Sequence, residues 1–508
     1  MLEKTGKVYL IGAGPGDPGL LTLKGKEVLS IAEVVIYDYL ANPELLKYCQ
    51  EGVEKIYVGK KGGEPSFSQE KINELLVKKA KEGKIVARLK GGDPFLFGRG
   101  GEEVEELEKH GIPFEIVPGV TSAIAVPAYA GIPVTHRNYT STLAIVTGHE
   151  AQSKEKTQID FKALSRIGTL IFLMGVKNLP NLVENLLKEG KSPNTPCAII
   201  QWGTTPCQKT LTGTLSDILE KVKTSSIGSP AIIVVGEVVN LREKFNWFEK
   251  KPLFGKKILI TRTREQASKL KKSLEDLGAL VYEVPTIKIV PLLNEEVFQT
   301  LKELHRYHWI VFTSENGVRV FYEIILRTGL DLRIFGPLKI AVIGKATKEA
   351  LEVLGIKPDL IPEKEYTQEG LALAFKGIDL KNQRVLLVRA KEAREVLPKA
   401  LGERGAEVKI LSVYETVLPE DSKMKLNQVL EEDLDLITFT SSSTVKNFFT
   451  LLESKEKLKE VKFASIGPIT SQTLRSYGFE PHLEAKEYTI EGLVLAIKEF
   501  FKEGGVKC

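Results

Sequence analysis

Ile85-Val-Ala-Arg-Leu-Lys-Gly-Gly-Asp-Pro-Phe-Leu-Phe-Gly-Arg-Gly-Gly-Glu-Glu103 opens as a short apolar strand and runs into five glycines set among charges. Glycine at this density marks a loop whose backbone comes close to a ligand, because no Cβ stands in the way. A surface loop that only needed positive φ would not call for Asp93, Phe95 and Arg99 between the glycines. Asp93 can accept a hydrogen bond from a ribose or an amine. The same unit, a short strand, a Gly/Pro turn and a helix-period segment, recurs along the chain. Its strands are Val8–Ile11, Val34–Tyr37, Ile85–Leu89, Leu143–Thr147 and Ala231–Val235. They continue as Ile258–Ile260, Ile310–Thr313, Ile340–Ile343, Val385–Val388 and Leu436–Thr440. Strands alternating with helices predict an α/β fold with largely parallel sheets.

The chain has 508 residues, 43% hydrophobic and 27% charged, with mean hydropathy −0.07. This length suggests about three or four domains. The net charge is 71 − 66 = +5, too weak for a protein that coats nucleic acid, although a local anion site is compatible with it. Cys49, Cys197, Cys207 and Cys508 form no CxxC pair and read as reduced thiols of a cytoplasmic protein, with no metal site. The segment Met1–Gly6 is polar, and no run of about 18 apolar residues occurs, so a membrane or secreted class is set aside.

A charged and aromatic stretch, Asn240–Lys257, reads as a linker between two modules. Beyond it lies an internal repeat. Ile258-Leu-Ile-Thr-Arg262 echoes Val385-Leu-Leu-Val-Arg389, and Val311-Phe-Thr-Ser314 echoes Thr438-Phe-Thr-Ser441. Ala341-Val-Ile-Gly344, with Thr347, echoes Ser465-Ile-Gly467, with Thr470. Glu365-Tyr-Thr-Gln-Glu-Gly370 echoes Glu487-Tyr-Thr-Ile-Glu-Gly492. Four matches in one order predict two similar α/β subdomains with a ligand cleft between them.

Gly14-Pro-Gly16-Asp-Pro-Gly19 matches GxGxxG, with Asp38 where a ribose-binding acid would stand. An NAD(P)-linked dehydrogenase is the reading this invites. The prolines oppose it: a pyrophosphate cradle is made of backbone N–H groups, and Pro15 and Pro18 have none.

Val8–Thr22, Val35–Asp38, Val58-Gly59-Lys60, Arg88–Glu103, Pro118–Arg137, Thr147-Gly148-His149, Met174-Gly175 and Ser229–Val239 together resemble the uroporphyrinogen-III C-methyltransferases, of the tetrapyrrole methylase class. The resemblance spans about residues 4–245. It implies two α/β subdomains holding S-adenosylmethionine in a cleft, and a homodimer through this module. It implies a donor site at Pro15, Gly91, Gly92, Asp93, Leu96, Thr121, Ser122, Met174, Gly203 and Ala231. It places a proton acceptor at Asp38 and a proton donor at Lys60. Arg99 and Arg137, with Lys60, are candidates for binding the carboxylates of a tetrapyrrole substrate.

No Walker loop, HExxH or GxSxG motif occurs in residues 253–508. Strand-end Arg262, Thr313, Ser314, Arg389, Thr440 and Ser441 suit a polyanionic ligand. By themselves they are also compatible with a non-catalytic ligand-binding module. Ile260-Thr-Arg262 with Gln266-Ala267, Phe312-Thr-Ser314 with Asn316-Gly-Val318, and Val342-Ile-Gly344 with Ala346-Thr347 resemble uroporphyrinogen-III synthase. Val413-Tyr-Glu-Thr416, Ile466-Gly-Pro468 with Thr470, and the Glu487-Tyr-Thr489 region extend the likeness. It implies two flavodoxin- or Rossmann-like subdomains, about 253–290 with 415–508, and about 291–414. It implies cyclisation of hydroxymethylbilane with inversion of its last ring, assisted by Tyr414. Arg262, Ser314, Thr347, Arg389, Ser441 and Thr470 are the substrate-binding candidates. The expected organisation is a methyltransferase module at 1–245, a linker at 246–256 and a synthase module at 257–508.

Overall fold

The computed structural model describes residues 6–59, 67–148, 157–261 and 264–504. These fall into two compact units that divide at Lys257 and Ile258, with Ser273–Leu280 and the segment from Phe501 grouped with the first.

The first unit holds two five-stranded sheets. One contains β1 (Lys7–Gly12), β2 (Val34–Tyr37), β3 (Glu54–Tyr57), β4 (Ile85–Lys90) and β5 (Phe114–Val117), in the order β3-β2-β4-β1-β5 and parallel throughout. Its strands are apolar on both faces because helices cover both. Val34 and Ile36 enter one core with Val8, Leu10 and Val86, while Val35 enters the other with Ile11, Ala87 and Leu89. Each fully buried aliphatic side chain of this kind stabilises the fold by about 1.5–3 kcal/mol. The helices that matter below are α1 (Leu23–Ile31), α2 (Gln69–Lys81), α3 (Gly100–Lys109) and α4 (Ser122–Tyr129). Side-chain oxygens of Thr22, Ser68 and Thr121 cap α1, α2 and α4.

The other sheet contains β6 (Leu143–Thr147), β7 (Thr169–Leu173), β8 (Pro196–Gln201), β9 (Lys209–Thr214) and β10 (Ala231–Val235), in the order β6-β7-β10-β8-β9. Only β6 and β7 run parallel; the other three pairs are antiparallel. This sheet is the exception to the expected largely parallel pairing. The turn from Gln201 to Lys209 is too short for a crossover helix, so β8 and β9 must pair antiparallel.

In the second unit, β11 (Lys257–Ile260), β12 (Leu280–Glu283), β18 (Leu436–Phe439), β19 (Lys462–Ser465) and β20 (Leu483–Glu484) form a sheet in the order β12-β11-β18-β19-β20. The intervening strands β13 (Lys288–Pro291), β14 (Trp309–Phe312), β15 (Lys339–Val342), β16 (Arg384–Ala390) and β17 (Glu407–Val417) form another, β13-β17-β16-β14-β15. One sheet is therefore built from both ends of this stretch of chain and the other from its middle. Strands β13 and β17 pair antiparallel, Ile289 opposite Thr416. The rest of that sheet is parallel.

The repeat has a physical basis. Thr367 and Thr489 each accept the N–H of a glycine three residues on, Gly370 at 3.1 Å and Gly492 at 3.0 Å. A Cβ on Gly370 or Gly492 would collide with the carbonyl of Glu365 or Glu487. Tyr366 lies against Gly344, and Tyr488 against Gly467.

The stretch read as a linker is packed. Phe248 and Leu253 are buried, and the Phe248 ring meets those of Tyr129 at 4.8 Å and Phe254 at 5.3 Å. Trp247 Nε1 donates to the Ala128 carbonyl at 3.0 Å. Its aromatic content, which looked like a break in pattern, is what docks it on the first unit.

Candidate active sites

At the C-terminal ends of β1, β4 and β5, three loops converge in the first unit. Gly14 and Gly92 exchange backbone hydrogen bonds at 3.2 and 2.8 Å. A Cβ on Gly12 would lie 2.3 Å from Gly119 Cα and 2.7 Å from the Gly92 carbonyl oxygen. Asp93 ties the loops together: Oδ1 accepts the N–H of Phe95 at 2.8 Å and Oδ2 that of Gly119 at 2.9 Å. The carboxylate expected to meet ligand therefore also braces the backbone around it.

Gly92 has φ +68°, and the nearest atom to a Cβ built there is Ser122 N at 3.9 Å. The space over this glycine is open, bounded by the Thr121–Ser122 start of α4. Leu96 packs against the core that includes Ala123 and Val126 of α4. Gly203 abuts Val126, and Gly16 abuts Thr204 and Thr205. The loop after β8 thus closes on Pro15 and Gly16. Ala231 pairs with Gln201, just ahead of Gly203, and its methyl packs with the core around Phe172 and Leu182. Met174 follows β7 and is exposed.

The GxGxxG match does not open a long helix. Asp17 caps a single turn at Pro18–Leu20, and α1 starts only at Leu23. Asp17 also accepts the Tyr129 hydroxyl at 2.6 Å, and its N–H donates to Thr204 Oγ1 at 3.1 Å. This loop is anchored across the unit rather than shaped for a pyrophosphate.

Six described non-glycine residues have left-handed φ, and four of them, Phe97, Arg99, Trp202 and Thr204, lie on the loops of this site, while a fifth, Met174, follows β7. Strain of that kind persists only where surroundings over-determine it, and it clusters at functional sites. Thr204 is held by the Gln208 side chain, which accepts its N–H at 2.9 Å. Gln208 in turn donates to Glu249 at 2.8 Å, and Glu249 also accepts from Thr210 and pairs with Arg242.

Asp38 ends β2. Its Oδ1 accepts the Leu40 N–H at 3.2 Å, and a Cβ on Gly91 would meet Leu40, so the Asp38 turn sits on the Gly91–Gly92 loop. Its Oδ2 lies 3.2 Å from Arg88 Nη2, and 27% of the side chain is exposed. Behind it, Arg88, Lys90 and Glu103 are buried together. Burial, then the neighbouring Arg88, pulls the Lys90 ammonium below its usual range. Sequence reading missed these charges as a group, although Arg88 and Lys90 alternate to one face of a strand that ends at the site. Arg99 is exposed and paired with Glu102 at 2.9 Å, and Arg137 is exposed. Lys60 lies outside the described residues. Tyr39, Leu40, Phe95, Phe97 and Ile124 give these loops an exposed apolar surface.

In the second unit, Ser314 caps the helix Glu315–Arg327 by accepting the Gly317 N–H at 3.0 Å, and its Oγ lies 3.0 Å from the Tyr414 hydroxyl. Burial raises the Tyr414 phenol above its usual range. Thr347 and Thr470 are buried on the helices Lys345–Val353 and Pro468–Ser476. Ser441 caps the helix Ser442–Leu451 through a reciprocal box with Thr444. Arg389 departs from expectation. It is buried, gives Nη1 to the Arg394 carbonyl at 3.0 Å and pairs with Glu395, while its Nε is buried with no hydrogen-bond partner among the described residues. Arg262 lies outside the described residues. Among the described residues no group of three His, Cys, Asp or Glu side chains is placed to hold a metal, and no helix is long and apolar enough to cross a membrane.

Two family models match the chain: tetrapyrrole (corrin/porphyrin) methylases over residues 7–219, and uroporphyrinogen-III synthase HemD over residues 268–495. A porphyrin biosynthesis protein HemD of Ruminiclostridium josui is 40% identical over 492 residues, covering 96% of this chain and 97% of that one. A uroporphyrinogen-III C-methyltransferase of Methanocaldococcus jannaschii is 57% identical over 238 residues, covering 47% of this chain and 98% of that one. The solved uroporphyrin-III C-methyl transferase of Thermus thermophilus, complexed with S-adenyl homocysteine, is 41% identical, with TM-score 0.41, over 46% of this chain and all of that one.

Proposed function

We propose that this chain, which belongs to the family of tetrapyrrole methylases fused to uroporphyrinogen-III synthases, carries out two consecutive steps of tetrapyrrole biosynthesis. Its second half cyclises hydroxymethylbilane to uroporphyrinogen III and inverts the last ring. Its first half methylates that product at C2 and C7 to give precorrin-2. The donor, S-adenosylmethionine, supplies a methyl group already activated on a sulfonium.

The glycine cradle carries the reading of the first half. In this reading Gly91, Gly92, Thr121, Ser122 and Gly203 offer backbone and small side chains to the donor, and Leu96 and Met174 offer it apolar surface. Pro15 and Asp93 complete the donor set, with Ala231 contributing through its strand partner Gln201. Such a set fits a donor held by main-chain groups. What remains for the protein is alignment of a nucleophilic ring carbon with the methyl, which is a positioning task. Asp38, at the rim and backed by Arg88, is the acceptor for the proton that leaves the alkylated tetrapyrrole. Lys60 is its proton-donating counterpart, and Lys60→Met should lower turnover more than a generic surface change. Arg99 and Arg137 meet substrate carboxylates.

The second half needs to restrict a substrate more than to activate it, because closure to the wrong isomer competes without catalysis. Tyr414, oriented by Ser314, assists departure of the hydroxyl; Thr347, Ser441, Thr470 and Arg262 contact carboxylates. We assign residues 1–245 and 257–508 to the two activities. The chain acts in the cytoplasm as a homodimer through the first, as the family resemblance supports.

Radiolabelled donor tests the first half directly. Purified chain should transfer two methyl groups to each uroporphyrinogen III, and absence of label in the tetrapyrrole would overturn the assignment.

A further inference from the structure

Glu103 is fully buried on α3, and its two oxygens are treated unequally. Oε1 accepts from Lys90 Nζ at 2.7 Å, Arg88 Nε at 3.2 Å and Gln69 Nε2 at 3.2 Å. Among the described residues, Oε2 is buried with no hydrogen-bond partner. A buried carboxylate oxygen left unpaired is costly, and an isolated structural residue at that position would be better replaced by an apolar one. Arg88 also donates from Nη2 to Asp38 Oδ2 and from Nη1 to the carbonyls of Ile36 and Leu89. Asp38, Arg88, Lys90 and Glu103 therefore form one ionic chain whose formal charges cancel, and only the Asp38 end reaches the site. Among the described residues, Tyr39, its neighbour in sequence, and Tyr57 at the end of β3 also stand near Asp38.

We infer that Glu103 is a positioning residue for methyl transfer: through Arg88 and Lys90 it balances the charge behind Asp38, so that Asp38 remains a competent proton acceptor. This rests on the assignment of Asp38 made above. In the step concerned, the methyl bonds to the ring carbon as the C–S pair returns to sulfur. The proton then leaving the tetrapyrrole goes to an Asp38 oxygen, and its bonding pair stays with the macrocycle. Without the Glu103 charge, two cations face one carboxylate. That favours the Asp38 anion and makes it a weaker base.

The pH profile of kcat tests this. Glu103→Gln should move the acid limb down by about one pH unit and lower the plateau several-fold, with S-adenosylhomocysteine affinity by calorimetry unchanged. Lys90→Met, which leaves one negative charge in excess, should move the limb up. The double variant Lys90→Met/Glu103→Gln, neutral again, should return it. The inference fails if the limb stays in place in both single variants, or if the double variant does not restore it. Should Glu103→Gln not fold, the upward shift in Lys90→Met carries the test. Full activity in Asp38→Asn would instead overturn the underlying assignment.

Discussion

The Tyr414 hydroxyl lies 3.0 Å from the Ser314 hydroxyl, and that serine oxygen simultaneously caps the helix Glu315–Arg327 through Gly317. A strand phenol is thereby fixed at a helix N-terminus, where its orientation depends on a local capping bond. Removing the phenol leaves the cap intact. Tyr414→Phe should cost no more than about 1 kcal/mol of stability while raising the share of the type-I isomer formed from hydroxymethylbilane. Chromatography of the oxidised products reads the ratio; a wild-type ratio would reduce Tyr414 to a packing residue.

Asp38→Asn keeps the shape of the side chain and its capping of Leu40 but removes its capacity to take a proton. Methyl transfer should fall at least about 100-fold while S-adenosylhomocysteine binds as before. Calorimetry and a single-turnover assay on one preparation separate the two effects.

Two glycines of the cradle should respond differently to alanine. At Gly12 the new Cβ meets only backbone, so Gly12→Ala should lose folded protein as well as activity. At Gly92 there is room for the atom, and the cost to stability is that of an alanine at positive φ, roughly 1 kcal/mol. Gly92→Ala should stay folded and lose donor affinity, because the atom enters the open space. Melting curves with and without donor distinguish the two variants.

Glu249 is expected to matter to a site it does not touch. Its bond to Gln208 is what holds the Thr204 N–H acceptor in place, and it also accepts from Thr210 and Arg242. Glu249→Ala should cost about 2–3 kcal/mol and raise the KM for S-adenosylmethionine more than it lowers kcat. Unfolding and steady-state kinetics check both parts.

Ten of the twenty strands among the described residues, the internal repeat and the glycine loops were legible because they are local. Burial on both faces makes continuous apolar, β-branched runs, and a close backbone approach demands glycine wherever it occurs. The antiparallel half of the second sheet was not, since the signal for β9 is only the polar alternation Lys209-Thr-Leu-Thr-Gly-Thr214. The buried set of Arg88, Lys90 and Glu103 was present in the quoted stretch yet silent, because charge pairing across α3 and β4 is a tertiary fact. Arg389 is a second case: its pairing with Glu395, six residues on, is not marked by the repeat.

Nucleotide preference follows from the loop at Gly14–Gly19. S-adenosylmethionine at one hundred times its Kd should stabilise the chain by about 2.7 kcal/mol, seen as a raised Tm, whereas NAD should leave Tm unchanged.

The central claim is that one chain performs both steps. Purified protein given hydroxymethylbilane and S-adenosylmethionine, with no other enzyme, should yield precorrin-2 derived from the type-III isomer, and omission of the donor should leave uroporphyrinogen III. Accumulation of uroporphyrinogen I alone, with no methylated product, would contradict it.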